Sequence, residues 1–241
     1  MWRFWAFAIG AATLALLPAA PGAAAESLEV RAKPAMTARV VIPSTALGAP
    51  RPGARPRMRL VGATTWSGTA QRLLVTGRHR DARGHEWVRV QLPIRPNESS
   101  GWVRAESLQL SERRVRIEVH LGSRRLEVWR GRDRLATYPA GIGRPGTPTP
   151  TGRFAIQDPV PTLPGWRGVY GRYTLTLTAH SPTLRTFMGG DALVAIHGAG
   201  SGRTWRVGTP SSYGCVILGE PALAAVARHA QAGTPVLIDR S

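Results

Sequence analysis

The sequence has one cysteine, one lysine and few acidic residues. Among its 241 residues, 32 are Lys or Arg and only 14 are Asp or Glu, so the formal net charge is +18. A single cysteine, Cys215, can form neither an internal disulfide nor a thiolate cluster, and no H-E-x-x-H motif is present. The sequence therefore predicts no metal site, and we expect no cofactor.

The excess of positive charge does not point to nucleic acid. Arginine supplies almost all of it, since Lys33 is the only lysine. The arginines stand singly and in pairs, no run of five or more occurs, and no nucleic-acid-binding motif accompanies them. We interpret the charge as an arginine-rich solvated surface. Attraction to anionic cell-wall polymers remains a further interpretation.

Long apolar runs are absent after the N-terminal segment. There, an apolar stretch from Phe4 to Leu17 follows Arg3 and leads to Ala23-Ala24-Ala25. A short apolar core behind one cation is typical of a cleaved secretory signal. An uncleaved anchor is the alternative, but a span needs about 20 apolar residues and prolines interrupt this stretch. We predict that residues 1–25 are a signal peptide and that the protein is exported to the cell envelope, periplasm or cell wall, with no membrane span after cleavage.

The rest of the chain is predicted to be mainly β, in two domains. Residues 26–37 are interpreted as a linker. Residues 38–110 contain short apolar or alternating runs that end in turn residues, which predicts a small β-barrel with strands near 58–61, 72–75, 87–92 and 101–104. Residues 112–241 repeat the pattern, near 115–119, 125–129, 153–156, 174–177, 193–196 and 235–238. One helix is predicted, from Pro221 to Ala232 with Gly233 as its cap.

A glycine-rich stretch, Gly141 to Gly146, matches the G-x-G-x-x-G pattern of dinucleotide-binding sites. That pattern binds a pyrophosphate only where a helix follows and points its N-terminus at the phosphates. Here the alternating Thr and Pro residues from Thr147 to Thr151 follow, and these prolines prevent a helix from starting. The stretch is therefore predicted to be a rigid loop between two strands.

Two residues in the C-terminal half have the pattern of a nucleophile and its base. His197 ends an apolar run and precedes Gly198, so we expect it to be rigidly held at a sheet edge. Cys215 follows Gly214, and a glycine there leaves backbone N–H groups accessible to a developing oxyanion. An imidazole beside a thiol lowers its pKa toward neutrality. From spacing alone, a cysteine that only packs in the core is the more common case, and the predicted export of an unpaired thiol makes the two interpretations equal alternatives.

These residues resemble the signature of the L,D-transpeptidases with a YkuD-type catalytic domain. In that family a histidine, usually followed by glycine, precedes Ser/Thr-His-Gly-Cys by about fourteen residues, and here fourteen residues separate His197 from Ser212-Tyr213-Gly214-Cys215. The Thr/Pro approach to Gly152-Arg153-Phe154 and the terminal Gly233-Thr234-Pro235-Val236 also fit. The resemblance covers roughly Val115 to Asp239. The preceding segment resembles an SH3-like module of exported bacterial proteins.

The resemblance implies a β-sandwich-like catalytic domain that acts on peptidoglycan stem peptides. Cys215 would attack the donor peptide, and His197 would accept the thiol proton and lower the pKa of the thiol. Backbone N–H groups near Tyr213, Gly214 and Cys215 would hold the oxyanion, while Ser212 and Gly198 would shape the site. It also implies acylation by carbapenems. A non-catalytic wall-binding protein and an L,D-carboxypeptidase are the alternatives, and we expect a monomer.

Two positions depart from the family pattern. The motif histidine is replaced by Tyr213, and Ile217 stands where the family usually has arginine or asparagine. The first change removes an imidazole near the thiol, and the second removes a polar group that would position substrate. Both changes are expected to affect substrate binding more than the class of reaction.

Overall fold

The computed structural model describes residues 33–64, 67–201 and 206–241. The predicted signal peptide and residues 26–32 of the predicted linker lie outside this part of the chain. Within it, the protein forms seventeen strands and two α-helices, so the prediction of a mainly β fold is confirmed. None of the helices in the described residues is long and apolar enough to cross a membrane.

Seven N-terminal strands form one sheet. In chain order they are β1 (Ala35–Val40), β2 (Ser44–Leu47), β3 (Pro56–Leu60), β4 (Arg72–Arg80), β5 (Glu86–Gln91), β6 (Ser100–Arg104) and β7 (Leu108–Arg113). Their order in the sheet is β3-β2-β6-β5-β4-β1-β7. Because side chains alternate between the faces of a strand, one set is buried together in a small core: Ala38, Val40, Leu60, Leu73, Val88, Val90, Leu92 and Val103.

The limits of this sheet differ from the predicted limits of 38–110. Strand β1 pairs antiparallel with β7, from Ala35 opposite Arg113 to Val40 opposite Leu108. Residues 35–37, which the sequence analysis assigns to the linker, therefore belong to the sheet. This strand was not predicted because one of its buried positions is a polar residue, Thr37, which interrupts the apolar pattern. Its hydroxyl donates to the Ser111 carbonyl.

Eight strands of the C-terminal half form a second sheet. They are β8 (Val115–His120), β9 (Arg125–Arg130), β10 (Asp133–Pro139), β12 (Gly152–Pro161), β13 (Tyr173–His180), β14 (Leu193–Gly198), β16 (Val216–Leu218) and β17 (Pro235–Asp239). Their order is β10-β9-β8-β17-β12-β13-β14-β16. Two short strands, β11 (Ile142–Gly143) and β15 (Pro210–Ser212), pair separately and in parallel. One face of the large sheet is apolar and forms the main core, to which Phe154, Leu175, Ile196 and Val236 contribute.

The helix near the C-terminus is shorter than predicted. It runs as α2 from Glu220 to Ala227, and Leu223 and Val226 bury its apolar side in the main core. The prediction that it extends to Ala232 was wrong. Gly233 is not its cap, because this residue, at a φ of 83°, donates its N–H to the Ile156 carbonyl and leads into β17. A four-residue helix, α1 (Arg167–Tyr170), was not predicted.

The N-terminal sheet packs on the face of the second sheet that points away from the main core. Ala35 and Leu74 form a small buried cluster with Ala155, whose chain neighbours Phe154 and Ile156 point into the core. The junction therefore covers the middle of the catalytic-half sheet and leaves β14 and β16, at its edge, for the candidate site.

Candidate active site

Parallel pairing of β14 with β16 brings the two predicted catalytic residues together. Ile196 lies opposite Val216 and His197 opposite Ile217. Ile196 and Val216 point into the main core, so His197 and Ile217 point to the other face. Cys215 directly precedes β16, and the backbone N–H of Ala195, two residues before His197, is close enough to its Sγ to lower the pKa of the thiol. The predicted nucleophile and base therefore lie on adjacent strands, at the same edge of the sheet.

The tautomer of His197 is fixed by its own strand. Its Nδ1 lies 2.7 Å from the carbonyl oxygen of Gly198, which can only accept, so Nδ1 carries the proton and Nε2 is the basic nitrogen. The imidazole is buried, and burial lowers its pKa to about 4 despite the bond to Gly198. His197 is therefore neutral near pH 7 and able to accept a proton at Nε2.

Cys215 is a neutral thiol in this state. The residue is partly exposed, yet its Sγ is enclosed closely enough that burial raises its pKa to about 11, and the bond from Ala195 only partly opposes this. The prediction that His197 lowers the pKa of the thiol is not met here. Desolvation disfavours both charged forms, so a neutral thiol beside a neutral imidazole is the stable pair.

A tight turn before Cys215 is held by Ser212. The Ser212 hydroxyl donates to the Cys215 carbonyl at 2.6 Å and accepts from the Gly214 N–H at 3.1 Å. Gly214 has a φ of 118°, a conformation that residues with a side chain rarely adopt. These bonds fix the shape of the turn, and the site-shaping role of Ser212 and Gly214 stays a prediction. They also occupy the Gly214 N–H, which was predicted as an oxyanion donor.

The threonine/proline loop supports that turn from behind. The carbonyl of Ser212 accepts two hydrogen bonds, from the Arg144 N–H at 3.0 Å and from the Thr147 hydroxyl at 3.2 Å. Within the loop, the Gly143 N–H donates to the Thr149 hydroxyl at 2.8 Å. The glycine-rich stretch therefore contains the short strand β11 and enters a folded loop, and β12 is the next regular element after that loop.

Tyr213 carries an arginine on its ring. The guanidinium carbon of Arg144 lies 4.0 Å from the Tyr213 ring centroid, and the ring of Phe187 lies 5.3 Å from the same centroid. Arg144 is exposed, and it lies over a residue that is two positions before Cys215. The site therefore has a cation near the thiol, although positions 213 and 217 hold neither histidine nor arginine. Sequence reasoning missed Arg144, because nothing in the spacing relates residue 144 to residue 213.

Gly198 permits a close approach of three segments. A Cβ atom at this position would collide with the carboxylate of Glu220 and would lie 3.0 Å from the Cα of Gly171. Two features of Gly198 bear on the site-shaping role predicted for it. Its carbonyl orients His197, and its lack of a side chain lets α1 and α2 approach β14.

An aromatic pocket adjoins the catalytic pair. Tyr170 packs edge-on against His197 with ring centroids 4.9 Å apart, and the negative charge of a Cys215 thiolate would raise the pKa of Tyr170, after the larger effect of burial. The pocket has a volume of about 270 Å³ and is lined by Thr162, Leu163, Trp166, Tyr170, Thr174 and Met188. Thr174 pairs with His197 across β13 and β14, so the pocket lies directly beside the base.

The comparisons with known proteins agree with this architecture. Residues 114–238 match the L,D-transpeptidase catalytic domain known as YkuD. The chain belongs to this L,D-transpeptidase family. The family match leaves the N-terminal sheet unassigned, so the SH3-like module stays a prediction. No curated protein matches the chain.

Several solved structures are similar to the chain. Bd1075 from Bdellovibrio bacteriovorus is 26% identical, with 53% of this chain and 48% of that chain covered and a TM-score of 0.41, so the chain spans about half the length of Bd1075. An L,D-transpeptidase from Mycobacterium smegmatis is 17% identical over 68% of this chain and 93% of that chain, with a TM-score of 0.41. L,D-transpeptidase 3 from Mycobacterium tuberculosis is 14% identical over 84% and 94%, with a TM-score of 0.44.

A group of possible metal ligands lies away from the catalytic pair. One atom each of Glu118, His120 and Glu127 falls within 4.8 Å of the others, on the outward face of β8 and β9. Their charges are met by other side chains: Arg116 binds Glu118 at 2.6 Å, Arg134 binds Glu127 at 3.1 Å, and Asp239 binds His120 at 2.9 Å. We interpret the group as an ion-pair network.

Proposed function

We propose that the protein is an exported cysteine acyltransferase that cross-links peptidoglycan stem peptides through a Cys215 acyl-enzyme. The observation that carries this proposal is the β14–β16 pairing, which sets Cys215 beside a base whose proton is fixed on the other nitrogen by Gly198. Family membership supports the substrate class, and enzymes of this family are typical of the cell envelope. The N-terminal signal pattern supports export.

The reaction would proceed in two half-reactions. Sγ of Cys215 attacks the carbonyl carbon of the donor peptide as its proton moves to Nε2 of His197. The peptide C–N bond then breaks, and the proton passes from His197 to the departing amine, which leaves a thioester. An acceptor amine attacks the thioester, His197 takes the amine proton, and Cys215 recovers it as the new amide forms.

The electrostatics of the site favour transfer of the proton during attack. With the thiol pKa raised to about 11 and the imidazole pKa lowered to about 4, a separated ion pair is unfavourable before substrate binds. When a substrate carbonyl is bound, the negative charge develops on its oxygen instead of on sulfur. We therefore propose that His197 acts as a general base and not as the partner of a preformed thiolate.

Oxyanion stabilisation must come from a donor that the turn leaves available. Ser212 accepts the Gly214 N–H, so this donor is committed to the geometry of the turn. We assign the oxyanion role to the N–H of Cys215, which is next in the chain and belongs to the nucleophile itself. Removal of one such donor in a related type of site costs about 10²–10³-fold in kcat.

Arg144 is the group we assign to the anionic part of the substrate. Stem peptides carry carboxylates, and the guanidinium over Tyr213 is an exposed cation on the Cys215 side of the site. Arginine binds carboxylates in a two-point geometry. The cation that the family pattern carries near the nucleophile is thus supplied here by the Thr/Pro loop.

The decisive experiment is incubation of the purified protein with a tetrapeptide stem, followed by mass measurement of protein and products. We expect a covalent adduct on Cys215, loss of the terminal residue and formation of a cross-linked dimer. Cys215→Ala is the matched control, since a small residue replaces a small one and the adduct and product should disappear. A carbapenem should likewise add one molecule per chain only when Cys215 is present.

The outcomes of this experiment separate the alternatives. Loss of the terminal residue without a dimer would identify an L,D-carboxypeptidase, in which water replaces the acceptor amine. Retention on isolated wall sacculi without any adduct would identify a wall-binding protein that keeps the fold. Full activity of Cys215→Ala would contradict the proposed nucleophile.

A further inference from the structure

A loop from the catalytic half closes over one side of the site. Residues 181–192 leave β13 and return to β14, and the Ser181 N–H binds the Ala192 carbonyl at 2.9 Å, which joins the two ends. Two residues near its tip reach the site. The Phe187 ring lies against Tyr213, and the Tyr170 hydroxyl donates to the Met188 sulfur at 3.2 Å. We call residues 181–192 the active-site loop.

Arg95, on the connection between β5 and β6 of the N-terminal sheet, binds this loop. Its guanidinium donates to three loop carbonyls: Ser181 at 2.7 Å, Leu184 at 2.9 Å and Asp191 at 3.1 Å. Longer contacts of 3.5 Å reach the Arg185 carbonyl and the Asp191 carboxylate. One side chain therefore satisfies carbonyls at the start, the middle and the end of the loop.

A second N-terminal residue fixes the base of the loop. The Asn97 amide donates to the His180 carbonyl at 2.9 Å and accepts from the His180 N–H at 2.9 Å, which is the two-bond pattern of a paired strand. His180 is buried, and its Nε2 lies 2.9 Å from the Asp191 carboxylate. The end of β13, where the loop begins, is thus held from the N-terminal side.

The loop needs these external donors because its own bonds are local. In the described part of the chain, the Phe187 and Gly190 backbones bind each other at the tip, and the Ser181 hydroxyl accepts from Thr183 and Leu184 at the base. Neither set joins the first residues of the loop to its tip. The planar guanidinium, with five N–H donors in a fixed fork, can bind several carbonyls at once, which a lysine ammonium does poorly.

We propose that Arg95 is a positioning residue, through which the N-terminal domain holds the active-site loop so that Phe187 and Met188 form a wall of the substrate site. The N-terminal domain is then part of the substrate site and not only a spacer from the membrane or the wall. The consequence for substrate binding rests on the function proposed above. The consequence for the loop itself does not.

The test combines hydrogen exchange with kinetics on the full chain. Arg95→Ala should speed amide exchange in the active-site loop by about tenfold or more, since each tenfold step corresponds to about 1.4 kcal/mol of opening free energy. It should raise KM for a stem peptide by about tenfold with kcat changed less than about threefold, because the catalytic pair keeps its own contacts. Arg95→Lys keeps the charge but loses the fork, so it should behave like Arg95→Ala.

Arg89→Ala is the matched control. Arg89 is an exposed arginine on the same sheet whose Nε donates to the Ser100 hydroxyl at 2.9 Å, far from the loop in sequence and contact. It should leave loop exchange and KM unchanged. If Arg95→Ala fails to fold, as judged by its melting curve, Arg95→Lys carries the test.

Two results would overturn the proposal. Unchanged loop exchange in folded Arg95 variants would show that Arg95 does not hold the loop. Faster loop exchange with unchanged KM would show that the loop is not part of the substrate site. If the wild-type protein forms no acyl-enzyme, the proposed function fails separately, and the exchange experiment still decides whether Arg95 holds the loop.

Discussion

The ionisation of Cys215 gives the sharpest test of the site, because alkylation of this chain can occur on only one cysteine. Burial raises the pKa of the thiol to about 11. At pH 7 the thiolate fraction is then about 10⁻⁴, against about 3% for a free thiol of pKa about 8.5, a ratio of about 300. A more basic thiolate is also more nucleophilic, with a Brønsted coefficient of about 0.4–0.5. This raises the alkylation rate of the thiolate itself by about 10- to 20-fold. We expect alkylation about 15- to 30-fold slower than that of a free thiol.

The assay is the rate of iodoacetamide alkylation from pH 5 to 11.5, followed by intact mass. The expected midpoint lies near 11, well above that of a free thiol. His197→Gln should leave the midpoint almost unchanged, because a histidine whose pKa is lowered to about 4 is already neutral throughout the titration. Both expectations follow from a neutral pair in the substrate-free state.

A midpoint below about 8.5 that rises in His197→Gln would refute this reasoning. That result would show a thiolate–imidazolium pair, as in other cysteine enzymes with depressed thiol pKa values. The role of His197 as the base would survive, but the claim that proton transfer accompanies attack would not.

Three further predictions concern binding and stability. Arg144→Gln should raise KM for an anionic stem peptide about tenfold with little change in kcat, since a charge-assisted hydrogen bond contributes about 1.5–3 kcal/mol. If the substitution raised KM equally for a peptide whose carboxylates are amidated, the role of charge would be contradicted. Ile217→Arg should lower the free energy of unfolding in urea by several kcal/mol, because Ile217 is fully buried, whereas Ile217→Val should cost about 0.5–1.5 kcal/mol. Lowering the pH from 7 to 4.5 should reduce the free energy of unfolding by about 2–3 kcal/mol through His197. Its folded pKa of about 4 lies below its unfolded value of about 6.5, so the unfolded chain binds more protons in this range. The His197→Gln variant should lack that share of the loss.

The strands that the sequence predicts are those whose apolar residues alternate or run together. Val115–His120 and Arg125–Arg130 alternate, and the structure pairs them as expected. Asp133–Pro139 was not predicted because it is an edge strand with no buried position, so its sequence shows no apolar alternation. The C-terminal helix was overextended because Ala-rich sequence favours helix, whereas the helix ends at Ala227 and Gly233 bonds to β12.

The two residues predicted as nucleophile and base could be picked from the sequence because they belong to one motif, whereas their surroundings could not. Arg144 reaches Tyr213 across the Thr/Pro loop, and Arg95 reaches the active-site loop from another sheet. Such contacts depend on how distant segments pack, which no local pattern encodes. The thiol pKa also follows from burial, a property of the folded chain.

The two departures from the family motif fit together as one rearrangement of the site. Ile217 lies opposite His197 on β16, is fully buried, and has both of its backbone groups bonded to Gly141 at 2.8 Å. A Cβ atom at Gly141 would lie 3.0 Å from that of Ile217, so the two segments pack closely at this point. The cation stands instead on the exposed side of the turn, where the flat ring of Tyr213 supports Arg144. A histidine at position 213 would offer a smaller and sometimes charged ring, a poorer support for a guanidinium. Tyr213 and Ile217 therefore fit a site whose cation is supplied by Arg144.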